Sequence, residues 1–158
     1  MLNEHFKDIL LAFTAEKVRF ILVGAYAMVL HGHRRTTGDI DLWVEPSEEN
    51  AKFVLRALEN FGAPLHNLNY EDLIRDDTVF QIGLEPFRID IITGASGLEF
   101  DEAYNNSQLK DLDGVKVMTL SLDDLIKNKS ATGRLQDLAD VEKLTALKRK
   151  LDSGEGNN

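Results

Sequence analysis

At 158 residues, with 43% hydrophobic and 28% charged side chains, the chain has the size and balance of one soluble globular domain. It contains no cysteine, which excludes a disulfide framework and a thiolate zinc site. A formal charge of −9 argues against a broad nucleic-acid surface, because phosphate contacts supply most of that affinity.

The opening stretch MLNEHFKDILLAF lacks the basic start and small-residue cleavage site of a secretory signal. No apolar run has the length of a bilayer span, so no membrane partner and a cytoplasmic location are expected. Phe6, Ile9, Leu10 and Phe13 recur at helical spacing and predict a helix over residues 4–17, capped by Asn3. VRFILV (18–23) reads as a buried strand; Gly24 punctuates it, and AYAMVLH begins a short helix. DIDLWVE (39–45) is a second strand. Ser47 then caps a helix carrying Glu48 and Glu49 in its first turn and ended by Gly62.

TVFQIGL (78–84) and FRIDIIT (87–93) predict a hairpin around Glu85-Pro86. The turn DLDG (111–114) precedes the strand VKVMTL, SLDD at 121 opens a helix, and residues 135–151 predict a long amphipathic helix. The pattern implies one α/β domain over 1–151, with a core at 18–120 and C-terminal helices at 121–151, followed by a disordered tail at 152–158.

Residues two apart on a strand share a face, so Asp39 and Asp41 project together while Ile40 and Leu42 face the core. Two carboxylates aimed at one point repel, and a hard divalent cation relieves that conflict. FRIDIIT adds Asp90 between isoleucines. If its strand neighbours the first, three carboxylates converge as a two-metal phosphoryl or nucleotidyl transfer requires. The spacing alone is weak, because Asp111 and Asp113 repeat it in a turn that needs no metal. The plain alternatives are a cap or strand-edge role for Asp39 and an ion pair with Arg88 or Arg35 for Asp90.

Gly24, between strand and helix, lets backbone N–H groups approach a phosphate, or simply makes a tight turn. Neither G-x-x-x-x-G-K-[ST] nor G-x-G-x-x-G is present. Residues 121–151 carry a net charge of +2 against −9 over residues 1–120. Lys127, Lys129 and Arg134 in that segment are either a grip for a triphosphate or a solvated face. His31 and His33 read as loop contacts, Trp43 as core on the aspartate side of its strand, and Asp137 and Asp140 as partners of Arg134 or Lys143.

The run VGAYAMVLHGHRRTTGDID followed by RIDI resembles the signature of the nucleotidyltransferase fold shared by DNA polymerase beta and kanamycin nucleotidyltransferase. It is most similar to the small bacterial nucleotidyltransferase-like proteins related to AbiEii-type toxins and the MNT group. LIKNKSATGRLQDLADVEKL resembles that subgroup's helical C-terminal motif. The resemblance implies a mixed sheet flanked by helices, and transfer of an NMP from an NTP, ATP first, to a hydroxyl acceptor. It implies Asp39, Asp41 and Asp90 as catalytic residues and ligands of Mg²⁺ or Mn²⁺. Gly24, Ala25, Arg35, Thr37, Lys127 and Arg134 are implied to bind nucleotide. The family's Gly-Gly or Gly-Ser is Gly24-Ala25 here, so a serine hydroxyl is missing. A homodimer or a toxin–antitoxin partner is also implied. The alternative is a module of the same fold that binds nucleotide, metal or a partner with little turnover.

Overall fold

The structure, a computed structural model, describes residues 2–84 and 86–154. The helical spacing near the N-terminus forms α1 (Glu4–Ala15), whose cap Asn3 accepts from the His5 N–H and whose inner face buries Phe6, Ile9, Leu10 and Phe13. β1 (Phe20–Val23) is buried throughout and runs directly into α2 (Gly24–Leu30). β2 (Asp39–Val44) and α3 (Glu48–Phe61) follow, with Ser47 accepting from the Asn50 N–H and Gly62 closing the helix in the left-handed region. β3 (Val79–Leu84) and β4 (Phe87–Ile92) form the expected antiparallel hairpin, although Glu85 in its turn lies outside the described residues.

Three elements were not legible beforehand. A 3-10 turn at Tyr70–Leu73 and the seven-residue α4 (Phe100–Asn106) are too short to show a period. β5 (Gln108–Leu112) buries only Leu112, so its sequence does not alternate. The DLDG stretch is its turn into β6 (Val115–Thr119): Asp111 accepts from the Gly114 N–H, and Asp113 accepts from the Leu2 N–H. That pair is structural, as its turn context implied.

α5 (Leu122–Thr132) starts at the cap Ser121, and α6 (Leu135–Asp152) ends the described chain. Two expectations for α6 are corrected. Asp152 belongs to the helix rather than to a tail, and residues 155–158 of the expected tail lie outside the described residues. Nor is α6 a conventional amphipathic helix: it buries Asp137, Asp140 and Leu144 while Leu135 and Leu138 face solvent. Among the described residues no helix is long and apolar enough to cross a membrane.

The six strands form one mixed sheet in the order β3-β4-β2-β1-β6-β5. β4 and β2 are parallel, with Asp39 opposite Arg88, Asp41 opposite Asp90 and Trp43 opposite Ile92. β1 is antiparallel to β2 and parallel to β6. Alternation therefore divides the central strands. Ile40, Leu42, Val44, Ile89 and Ile91 face a core under α1, where Phe13 meets Phe20 edge-on at 5.2 Å. Asp39, Asp41, Arg88 and Asp90 share the other face. Trp43, 1% exposed, stays on that face but packs edge-on against Phe100 as a core residue.

Candidate active site

The site is assembled by two strand alternations and one glycine. The β2–β4 register sets Asp41 directly beside Asp90 on one sheet face, and Asp39 lies two residues nearer the strand start. Thr37 fixes that start, because its hydroxyl donates to the Asp39 carbonyl at 3.1 Å and accepts from the Asp39 N–H at 3.3 Å. Gly38 lies so close to the Pro86 carbonyl that a Cβ would collide with it, so the β3–β4 hairpin tip can rest against the entry to β2.

Gly24 opens α2 with φ +68°, a conformation that L side chains rarely adopt. A Cβ there would run into Asp41 Oδ2. The first residue of α2 is thus backed against the central carboxylate, with Ala25 half-buried behind it. Glycine is needed for both the backbone angle and the space.

The electrostatics of the three acids are unequal. Burial, followed by the charges of Asp90 and Asp39 and a carboxyl–carboxyl hydrogen bond with Asp90, pushes Asp41 up to about 7. Asp90 is 8% exposed and accepts from Arg88 Nε at 2.8 Å and from Arg88 Nη2 at 3.1 Å. The same Nη2 reaches Asp39 Oδ2 at 3.1 Å. Asp39 Oδ1 is buried with no hydrogen-bond partner among the described residues. Three carboxylates, an orphaned buried oxygen and a cradle that a Cβ would fill make a donor set suited to a hard divalent cation. As they stand, no three His, Asp or Glu side chains among the described residues are grouped tightly enough to enclose an ion. Arg88 occupies part of that space.

The cations divide differently from their spacing in sequence. Lys129 is close enough to Asp41 for its charge to oppose the rise in that carboxyl. It is mostly buried and pairs with Asp137 at 3.1 Å and Asp140 at 3.3 Å. Arg35 reaches Asp140 at 3.1 Å, tying the loop before β2 to α6. Arg134 donates to Asp137 at 2.6 Å with its own side chain largely exposed. Burial alone would raise Asp137. Hydrogen bonds from Thr132, Arg134 and Lys129, with the Lys129 charge, outweigh it and hold that carboxyl down at about 2. Lys127 lies instead with Glu99, Glu102 and Asp124 around a small cavity that none of the three sheet carboxylates lines.

Of the residues singled out from the sequence, Asp39, Asp41, Asp90, Gly24, Ala25 and Thr37 are therefore gathered at one place. Arg35 and Arg134 are engaged with α6 carboxylates, and Lys127 stands apart. His31 Nε2 donates to the Leu120 carbonyl at 2.8 Å, and burial lowers its imidazole despite that bond. Among the described residues, Arg88 and Lys129 bring positive charge to the three carboxylates. The signal for Arg88 was present, because two-residue alternation puts it on the face of Asp90.

Known structures share this arrangement of elements. The chain aligns with the lincosamide antibiotic adenylyltransferase LnuA in its lincomycin-bound form at 18% identity and a TM-score of 0.60, covering 93% of this chain and 98% of that one. The antibiotic-resistance factor ANT(2'')-Ia aligns at 16% identity and a TM-score of 0.56, covering 98% and 92%. TM1012 from Thermotoga maritima aligns at 19% identity and a TM-score of 0.57, covering 94% and 91%. At such identities the likeness shows the fold. Among curated proteins none matches the chain. A family model described as "nucleotidyltransferase of unknown function (DUF6036)" matches residues 1–154, so the chain belongs to this family of nucleotidyltransferases.

Proposed function

We propose that the protein transfers a nucleoside monophosphate from an NTP to a hydroxyl acceptor in a metal-dependent reaction. The observation that carries this reading is the convergence of Asp39, Asp41 and Asp90 on one sheet face beside a glycine that admits no side chain. Asp39, Asp41 and Asp90 would hold Mg²⁺ or Mn²⁺. When bound, the ion would neutralise phosphate charge and polarise the phosphorus under attack.

The remaining work falls to the protein's own groups. Gly24 and Ala25 leave the backbone at the start of α2 open to the triphosphate. Lys129, anchored by Asp137 and Asp140, presents a positive charge toward the same place. Asp90 orients the acceptor hydroxyl and receives its proton as the new P–O bond forms and pyrophosphate leaves. Catalysis of this kind rests on positioning and charge neutralisation, so geometry matters more than the basicity of any one group. LnuA is an adenylyltransferase solved with lincomycin bound, which makes ATP and small hydroxylated molecules the first donor and acceptors to test.

The test supplies NTPs labelled on the α-phosphate, Mg²⁺ and either small hydroxylated acceptors or a lysate of the host, and reads pyrophosphate release and the destination of the label. Wild type should label an acceptor. Asp90→Asn should keep NTP·Mg²⁺ binding and lose transfer, whereas Asp39→Asn should damage both. Equal release from wild type and Asp90→Asn would remove Asp90 from the reaction. Tight NTP binding with no transfer to any acceptor would favour a nucleotide-binding module.

A further inference from the structure

The carboxylates already have a cation among them. Arg88 lies two residues before Asp90 on β4, and the β2–β4 register sets it opposite Asp39. Its guanidinium forks onto both oxygens of Asp90 at 2.8 and 3.1 Å and reaches Asp39 Oδ2 at 3.1 Å. Only a quarter of its side chain is exposed. A fork of this kind occupies the carboxylate lone pairs that a metal ligand must offer, so the two modes of binding exclude each other.

A fastener between strands is the simpler role for such a bridge. β2 and β4 are already paired over five register positions, however, and need no clip at their start. The fork does not extend to Asp41, which feels only the nearby charge of Lys129, and among the described residues it leaves Asp39 Oδ1 without a hydrogen-bond partner. Arg88 therefore compensates the site only in part, as a temporary occupant would.

We propose that Arg88 is the resident counter-cation of the Asp39–Asp90 pair and competes with the divalent metal for it, yielding when a triphosphate offers the guanidinium another anion. This rests on the metal-dependent transfer proposed above. Free metal is then held off, and nucleotide and metal enter together, because each removes a cost that the other would otherwise meet. The guanidinium remains on the face that the phosphates approach, so Arg88 acts on the metal through its ligands as a positioning residue.

The experiment titrates Mn²⁺, alone and with a non-hydrolysable NTP analogue, into wild type, Arg88→Met and Arg88→Lys, following free Mn²⁺ by electron paramagnetic resonance. Circular dichroism checks that each variant is folded. Arg88→Met should bind Mn²⁺ alone about tenfold or more tightly than wild type, and the analogue should raise its affinity by a smaller factor. Arg88→Lys keeps the charge but loses the fork, and should fall between the two. Should Arg88→Met fail to fold, Arg88→Lys decides alone, because tighter Mn²⁺ binding than wild type is still required of it. Unchanged or weaker Mn²⁺ binding in the folded variants, with wild type binding Mn²⁺ and analogue together, would overturn the role of Arg88 and leave the transferase reading standing. Absence of Mn²⁺ binding in every protein, with and without analogue, would overturn both.

Discussion

Asp41 offers the sharpest test of the site, because its carboxyl is pushed from 3.8 up to about 7 by burial and by two neighbouring acids. The direction follows from proton counting. Between these values the folded protein holds a proton that the unfolded chain has released, so stability falls as pH rises through the window. A rise of about three pH units at about 1.4 kcal/mol each sets a ceiling of roughly 4 kcal/mol, lost once Asp41 is fully ionised. Asp41→Asn keeps a donor toward Asp90 and removes the titration.

In chelator, urea denaturation from about pH 5 to about pH 8 should show wild type losing about 2–3 kcal/mol relative to Asp41→Asn, the part of the ceiling that lies between about pH 5 and about pH 7. For a domain of this size each kcal/mol moves Tm by about 2–4 °C, so melting curves can follow the same effect. Divalent metal should restore wild type at alkaline pH and leave the variant nearly unmoved. His31 is lowered by burial and pulls the other way, gaining stability as pH rises toward the ordinary histidine value and no further above it. That contribution is common to both proteins and cancels in the comparison. Parallel pH profiles for wild type and Asp41→Asn would refute the account of Asp41.

The other expectations concern the groups that frame the acids. Gly24→Ala should cost about 1–3 kcal/mol, from the left-handed backbone angle and the collision with Asp41, and should shrink the metal-dependent rise in Tm; a variant with wild-type stability and metal response would show that α2 does not rest on Asp41. Lys129→Met leaves two buried carboxylates without their shared partner and should cost about 3–5 kcal/mol in urea denaturation, whereas Lys127→Met, at an exposed position, should stay within about 0.5 kcal/mol. Equal losses for the two lysines would contradict the assignment of the site's cation.

What could be read beforehand tracks the range of the physical signal. Caps, left-handed glycines and two-residue alternation are local, so Ser47, Gly62 and the Asp39–Asp41 pair announced themselves. The placement of Asp90 beside Asp41 needed the β2–β4 pairing, and the resemblance to a known fold supplied it. Partners of the buried acids on α6 were different. Asp137 and Asp140 read as one helix face with Arg134 or Lys143 as partners, and Arg134 does pair with Asp137, yet Lys129 comes from α5 and Arg35 from the loop before β2. Such partners are separated by up to 105 positions in the chain. No periodicity encodes them.

Gly24 was legible, and the structure adds a second demand for it. A glycine between a strand and a helix suggested room for a phosphate, and the same residue turns out to make room for Asp41. A bulky side chain there therefore does more than block a ligand, since it displaces a carboxylate of the site and strains the backbone that holds it.

The chain treats its two groups of buried acid in opposite ways. Around Asp137 and Asp140 it gathers Lys129, Arg134, Arg35 and Thr132, enough to hold Asp137 down at about 2 despite burial. Around Asp39, Asp41 and Asp90 it supplies the Arg88 fork and the nearby charge of Lys129, and Asp41 still rises to about 7. The materials for full compensation are present in this protein, so the difference is one of placement. An acid cluster kept short of positive charge costs stability in the free protein and favours whatever cation arrives. The well-compensated pair sits on the helix that carries no candidate chemistry, and it fixes Lys129 toward the poorly compensated one. Charge compensation is concentrated at α6, and the carboxylates of the sheet face are left short of it.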